Sequence, residues 1–75
     1  MDRKTNDHGE PFGAWLMVRA GEGGVIGELA AAAKADRGFP PSATPEDLRA
    51  RLRAAMAEGD MFEAVDEAEI DWLAF

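Results

Sequence analysis

Six carboxylates lie between residues 60 and 71, and their spacing suggests several kinds of chemistry. They are Asp60, Glu63, Asp66, Glu67, Glu69 and Asp71, and no basic residue follows Arg53. Calcium-binding loops need a different spacing, and on a helix these side chains spread around a polar arc instead of converging on one ion. We therefore predict no metal site here. A solvated helix face is the simplest interpretation, and a docking surface for a basic protein is the functional one.

The only basic cluster of the second half precedes these acids, at Arg49, Arg51 and Arg53. Helical spacing pairs Glu46 with Arg49 and Asp47 with Arg51, so local ion pairs account for these cations. Two functional alternatives stay open: contact with a nucleic acid, and contact with an acidic protein surface, including the fourth helix of another copy. We keep Arg49 and Arg53 as candidates because the helical wheel places both on one flank.

Catalytic residue types other than carboxylates are scarce in this chain. It has no Cys and no Tyr, and its single histidine, His8, has no second His or Cys nearby to share a metal ion. Four glycines lie between residues 21 and 27, but a dinucleotide-binding pattern would need a glycine where Ile26 stands, and no Gly-Lys-Ser/Thr sequence of a phosphate-binding loop follows. We predict no catalytic residue, no cofactor and no metal ligand.

Length and charge narrow the class of protein. A chain of 75 residues, of which 47% are hydrophobic, is sufficient for one small core. Its formal net charge of -7 argues against a general nucleic-acid binder, which needs a basic surface, and against docking on anionic membranes. No apolar run approaches the roughly 18 residues of a membrane span, and the N-terminus is polar. We predict a cytoplasmic protein.

Four helices must position these residues, because the chain shows no alternating pattern of a β-strand. Residues 1–10 are polar and aperiodic, and we predict a flexible tail. The helical domain is predicted over residues 11–75. Its first helix covers about 11–19, and its second, which is rich in alanine, covers about 25–36 after a glycine-rich turn.

The third helix has the clearest start signal. Thr44 suits an N-cap, Pro45 suits the first turn, and the acids that follow favour the positive end of the helix. Gly59 is predicted to end this helix. Asp60 is then predicted to cap the fourth helix, with Glu63 completing a capping box.

Helical periodicity defines a core and leaves one large apolar residue outside it. Ile70 falls opposite the buried stripe of the fourth helix, and Glu69 falls at the edge of the core. Trp15 and Trp72 follow the buried stripes, so we interpret them as core residues and not as a platform for stacked bases. The predicted core comprises Phe12, Trp15, Leu16, Ile26, Leu29, Phe39, Leu48, Leu52, Met56, Val65, Ala68 and Trp72.

The apolar, glycine and proline pattern over residues 11–75 resembles the YozE SAM-like family, small bacterial domains with a sterile-alpha-motif-like fold. The central match is Ile-Gly-Glu-Leu-Ala at 26–30, followed by Asp36, Phe39 and Pro40. The family tends to place an aromatic residue directly after the alanine of its final helix, where this chain has Glu69. The resemblance implies a compact all-α bundle of four or five short helices without a catalytic motif. Further matching positions are Phe12, Trp15, Leu16 and Met17 and, more weakly, the 46–52 helix, Ala68 and Trp72.

These observations predict a non-catalytic interaction module that binds a protein partner through its acidic C-terminal helix. The partner is unknown, and self-association is one option. Nucleic-acid binding through the arginines of the third helix is the alternative, as is inhibition of a nucleic-acid-binding protein by an acidic surface that mimics nucleic acid. The candidate surface comprises Glu63, Asp66, Glu67, Ile70, Asp71, Arg49 and Arg53.

Overall fold

The chain folds into the predicted all-α bundle. The computed structural model describes residues 4–74. Within that range α4 contacts each of the other helices, so it forms the centre of the bundle. The four helices of these described residues are α1 (Phe12–Met17), α2 (Gly24–Ala35), α3 (Pro45–Ala54) and α4 (Gly59–Ala74).

Aromatic rings occupy the centre of the core. The ring of Phe12 is fully buried and meets Trp72 edge to face, with 5.5 Å between the ring centres. Its other neighbour is Trp15, at 6.1 Å. Such ring pairs add about 0.5–1.5 kcal/mol beyond the burial of their surface. Small side chains pack around them, because α2 and α4 bury the alanines Ala30, Ala33, Ala64 and Ala68.

The predicted core is confirmed except at two positions. Ile26 is only half-buried and packs against the edge of the core. Met56 is 89% exposed, so its assignment to the core was wrong. The confirmed core residues are Phe12, Trp15, Leu16, Leu29, Phe39, Leu48, Leu52, Val65, Ala68 and Trp72.

Met56 lies outside the core because α3 ends at Ala54, so the helical periodicity does not extend to Met56. The N–H of Met56 donates to the carbonyl of Arg53 at 3.1 Å. The N–H of Ala57 donates to the carbonyl of Leu52 at 3.0 Å. These two bonds form the Schellman arrangement of a helix C-terminus. Met56 takes its left-handed position, with a φ of 56°, where glycine is usual.

This backbone conformation predicts that Met56→Gly stabilises the protein by about 0.5–1 kcal/mol. A left-handed conformation costs an L-residue about 1–2 kcal/mol, and the greater freedom of glycine in the unfolded chain offsets part of the gain. Urea unfolding measures the difference. Met56→Ala is the control, because it keeps the Cβ atom and should leave stability nearly unchanged. A loss of stability in Met56→Gly would contradict this account.

The predicted cap of α3 is confirmed, whereas the predicted cap of α4 is not. Thr44 caps α3 as expected: its Oγ1 accepts from the N–H of Asp47 at 3.1 Å, and Asp47 Oδ2 accepts from the N–H of Thr44 at 3.0 Å. At the junction between α3 and α4 the prediction was wrong. Gly59 begins α4 instead of ending α3, so Asp60 lies in the first turn of α4 and Glu63 does not stand three residues after a cap.

Residues 4–10 form a turn that packs on the bundle, in contrast to the predicted flexible tail. Asn6 is 3% exposed, and its Oδ1 accepts hydrogen bonds from two backbone N–H groups of the same turn, each at 3.0 Å. The carbonyl of Glu10 accepts from Nε1 of Trp72 at 2.9 Å, which ties the turn to α4. Residues 1–3 of the predicted tail lie outside the described residues.

The start of α1 lies directly against the loop that follows α2. The N–H of Gly13 donates to the carbonyl of Ala43 at 3.0 Å, and the N–H of Ala14 donates to that of Pro41 at 2.9 Å. The loop thereby satisfies N–H groups that a helix N-terminus leaves without intrahelical partners. Phe39, at the start of this loop, is buried and anchors it to the core as predicted.

Candidate interaction surface

The outer face of α4 presents the predicted acids to solvent. Glu63, Asp66, Glu67 and Asp71 are all exposed. Ile70 lies among them with 66% of its surface exposed, as the helical wheel predicts. This face therefore combines one apolar side chain with several carboxylates.

A groove separates the start of α2 from the C-terminal half of α4. Its volume is about 310 Å³, and its lining includes Ile26, Glu67, Ile70 and Asp71. Ile26 was assigned to the core by its periodicity, but it is half-buried and also contributes to the groove. The groove thus places the isoleucines of two helices beside two carboxylates of α4.

Three of the acids on this face work against the stability of their own helix. Glu63, Glu67 and Asp71 follow one another at four-residue intervals, and like charges at that spacing destabilise a helix by about 0.2–0.5 kcal/mol per pair. The last turn of α4 holds no basic residue, although cations favour this negative end of the helix. Helix stability therefore does not account for where these acids lie.

Arg49 lies between α3 and α4, where its side chain is partly covered. Its guanidinium nitrogens lie 2.5 Å from a carboxylate oxygen of Glu46, 2.6 Å from Asp66 and 2.7 Å from Glu69. Only 17% of the arginine side chain is exposed. The contact with Glu46 confirms the predicted local pair, whereas the two contacts with α4 were not predicted. We therefore remove Arg49 from the candidate surface.

The charge of Arg49 is secured by these contacts. Partial burial acts to lower its pKa, but the hydrogen bonds that Arg49 donates to Glu69, Asp66 and Glu46 together outweigh that effect and hold the pKa of Arg49 above its usual range. The guanidinium stays protonated at every pH at which the protein can be studied. Arg49 is accordingly a fixed positive charge that joins α3 to α4.

Replacing Arg49 by Met should lower the free energy of unfolding by about 1–2 kcal/mol at low salt, because three carboxylates lose a shared cation. The loss should shrink at high salt, which screens the repulsion among the exposed acids. Urea unfolding at two salt concentrations measures both effects. Arg53→Met is the control, since Arg53 lies on the same helix and is exposed. An equal loss of stability in the two variants would argue against a role of Arg49 in joining α3 to α4.

Arg51 is also held by its own chain, but at a different place. It lies 2.7 Å from a carboxylate oxygen of Asp36, donates to a carbonyl of the loop after α2, and sits 5.7 Å from the ring centre of Phe39. The predicted pairing partner, Asp47, is engaged in the capping box of α3 instead. Of the three arginines of α3, only Arg53 is exposed and not half-buried.

Other candidate chemistry is limited in the part of the chain that the structure describes. Residues 4–74 contain no group of three or more His, Cys, Asp or Glu side chains placed to hold a metal ion. None of the helices there has the length and apolar character of a membrane span. Trp15 and Trp72 are 3% and 1% exposed, so neither ring offers a surface for stacking bases.

Comparisons with known proteins returned no match. No family model fits the chain, and neither a curated protein nor a solved structure matches it. The resemblance to the YozE SAM-like family accordingly stays a prediction, and the candidate surface rests on the geometry of α2 and α4.

Proposed function

We propose that the protein is a non-catalytic interaction module that binds a positively charged protein partner through the outer face of α4. The observation that carries the proposal is the position of Ile70, an exposed isoleucine within a row of carboxylates that do not stabilise their own helix. Exposed apolar surface rimmed by polar groups is typical of interaction sites. The net charge of -7 adds long-range attraction for a basic partner.

The arginines of α3 favour this function over nucleic-acid binding. Arg49 and Arg51 direct their guanidinium groups to carboxylates of the same chain, so only Arg53 is left as an exposed cation of that cluster. Binding to a nucleic acid draws its affinity from several phosphate contacts, each made by an available cation. The internal engagement of Arg49 also removes one of the two arginines considered for self-association.

The proposal is tested by reversing charge on the face of α4. The variant Glu63→Lys/Glu67→Lys/Asp71→Lys keeps Asp66 and Glu69, and therefore keeps the contacts of Arg49. We expect it to lose partners that the wild-type protein retains from a bacterial lysate, and a purified partner to bind it at least about tenfold more weakly.

The matched control is Glu22→Lys/Glu28→Lys/Glu58→Lys. It changes the net charge by the same amount at exposed positions outside the candidate face. Far-UV circular dichroism establishes that both variants fold. Retention of partners by the control but not by the α4 variant supports the proposal. Equal loss in both variants would show that net charge alone is responsible, and unchanged binding in both would exclude the α4 face.

Titration with short DNA duplexes separates the nucleic-acid alternative. A Kd tighter than about 10 μM near physiological salt would favour binding through α3, since nonspecific binding is typically weaker. We expect no binding in that range. A partner that itself binds nucleic acid, and is displaced from it by this protein, would instead identify the protein as an acidic inhibitor.

Membership of the YozE SAM-like family and a cytoplasmic location belong to the same proposal. The family assignment is supported by the all-helical fold and by the burial of Phe12, Trp15 and Leu16, three of the residues that carry the resemblance.

A further inference from the structure

The groove between α2 and α4 has a defined chemical character. Ile26 is half-buried and Ile70 is 66% exposed, so each presents apolar surface next to the space between the two helices. Glu67 and Asp71 line the same space from successive turns of α4. A volume of about 310 Å³ is at the lower end of the range for binding pockets, which suits part of a peptide better than a large ligand.

We propose that this groove binds one apolar side chain of a basic amphipathic helix, with Lys or Arg residues of that helix next to Glu67 and Asp71. The inference rests on the proposed function and adds two things to it: the contribution of Ile26 from α2, and the chemistry of the partner. Helices of this kind dock by inserting apolar anchors into a groove while charged residues set the orientation.

A second copy of this chain is a poor occupant of the groove. A symmetric dimer through this face would bring Glu67 and Asp71 of one copy against the same residues of the other. Each copy also carries a net charge of -7, so the two chains repel one another at long range. Charge complementarity therefore selects a basic partner.

A basic partner would relieve unfavourable electrostatic interactions of the acids in the groove. Glu67 and Asp71 repel each other at four-residue spacing and lie toward the negative end of α4. Cations placed beside them relieve both effects. The unfavourable arrangement of charge in the free protein thus becomes a contribution to binding.

The test uses a peptide composed only of Leu and Lys, roughly four helical turns long, with all Leu on one face. The isotopically labelled full-length protein is titrated with it and followed by NMR. We expect shifts concentrated at Ile26, Ile70 and their neighbours. A peptide of the same composition in scrambled order, which has no apolar face, should bind at least about tenfold more weakly because its charge is unchanged but its anchor is lost.

Two variants locate the binding site. Ile70→Ser should weaken binding of the Leu–Lys peptide at least about tenfold, through loss of apolar contact. Val18→Ser is the matched control, since Val18 is 75% exposed but is not among the groove residues, and it should leave the Kd unchanged. Ile70 is mostly exposed, so its replacement leaves the fold intact, as circular dichroism verifies.

The possible results distinguish this inference from the proposed function. If the ordered and scrambled peptides bind equally, or if Ile70→Ser binds as tightly as the wild type, the groove is not the site, although the α4 face still binds cations. If shifts spread along Glu63 and Asp66 and avoid Ile26, the same conclusion follows. If neither peptide binds, the inference is overturned, while the charge-reversal experiment decides the proposed function separately.

Discussion

Trp72→Ala should lower the free energy of unfolding by about 3–5 kcal/mol, which is the usual cost of removing a buried aromatic side chain. Trp72 is 1% exposed, belongs to the central helix α4 and meets Phe12 edge to face. A single small core rarely provides more than about 3–5 kcal/mol in total, so this variant should be largely unfolded at room temperature. Thermal melts followed by far-UV circular dichroism measure the loss.

Trp72→Phe separates the packing of the indole from its hydrogen bond. Phenylalanine keeps much of the ring contact but removes Nε1, which donates to the carbonyl of Glu10 at 2.9 Å. We expect a loss of about 1–3 kcal/mol, because a partly buried carbonyl is left without its donor. Leu73→Ala is the control for Trp72→Ala, since Leu73 is 37% exposed and its replacement should lower the free energy of unfolding by less. A Trp72→Ala variant as stable as the wild type would show that Trp72 does not contribute to the core.

Gly13→Ala should destabilise the protein by about 2–3 kcal/mol, although alanine is the better helix former by about 1 kcal/mol. A Cβ atom at this position would lie 2.7 Å from the carbonyl oxygen of Pro40 and 2.8 Å from that of Pro41. Both atoms belong to the backbone, so a side-chain rotation cannot make room. The start of α1 would have to move away from the loop and stretch the hydrogen bond between Gly13 and Ala43.

Gly59→Ala is the matched control for this prediction. It makes the same chemical change in a helix, but no heavy atom outside the immediate chain lies within 4 Å of the added Cβ. It should be neutral or slightly stabilising. Urea unfolding of the two variants provides the comparison, and a Gly13→Ala protein as stable as the Gly59→Ala protein would refute the close contact between α1 and the loop.

Local signals predicted the parts of the fold that depend on local physics. The start of α3 follows from Thr44 and Pro45, because a cap and a first-turn proline act within a few residues. The burial of Val65, Ala68 and Trp72 follows from the period of the helix. The exposure of Ile70 follows from the same period, which is why the apolar centre of the candidate surface could be found from sequence.

Features that depend on distant residues were missed. Arg49 reaches Asp66 and Glu69, which are 17 and 20 residues away in the sequence, and helical spacing predicts only the pair with Glu46. Asn6 is a polar residue in a polar segment, and its burial depends on the packing of the turn against the bundle.

Two core residues were predicted wrongly, because periodicity shows neither where a helix ends nor how much of its face is covered. Met56 fits the periodicity of α3, but the helix closes with a Schellman arrangement that lacks the usual glycine, so no sequence signal marks its end. Ile26 fits the buried stripe of α2, but it lies at the edge of the bundle, where a helix face is only partly covered. The groove was missed for this reason, since the periodicity of α2 assigned Ile26, which lines the groove, to the core.

The hydrogen bond between Glu10 and Trp72 joins residues that are 62 positions apart. Closing a chain segment of that length loses entropy before any contact compensates for it, whereas most contacts in helical bundles are local and form quickly. This contact is therefore non-local, and it forms only when the two ends of the described chain come together around the core.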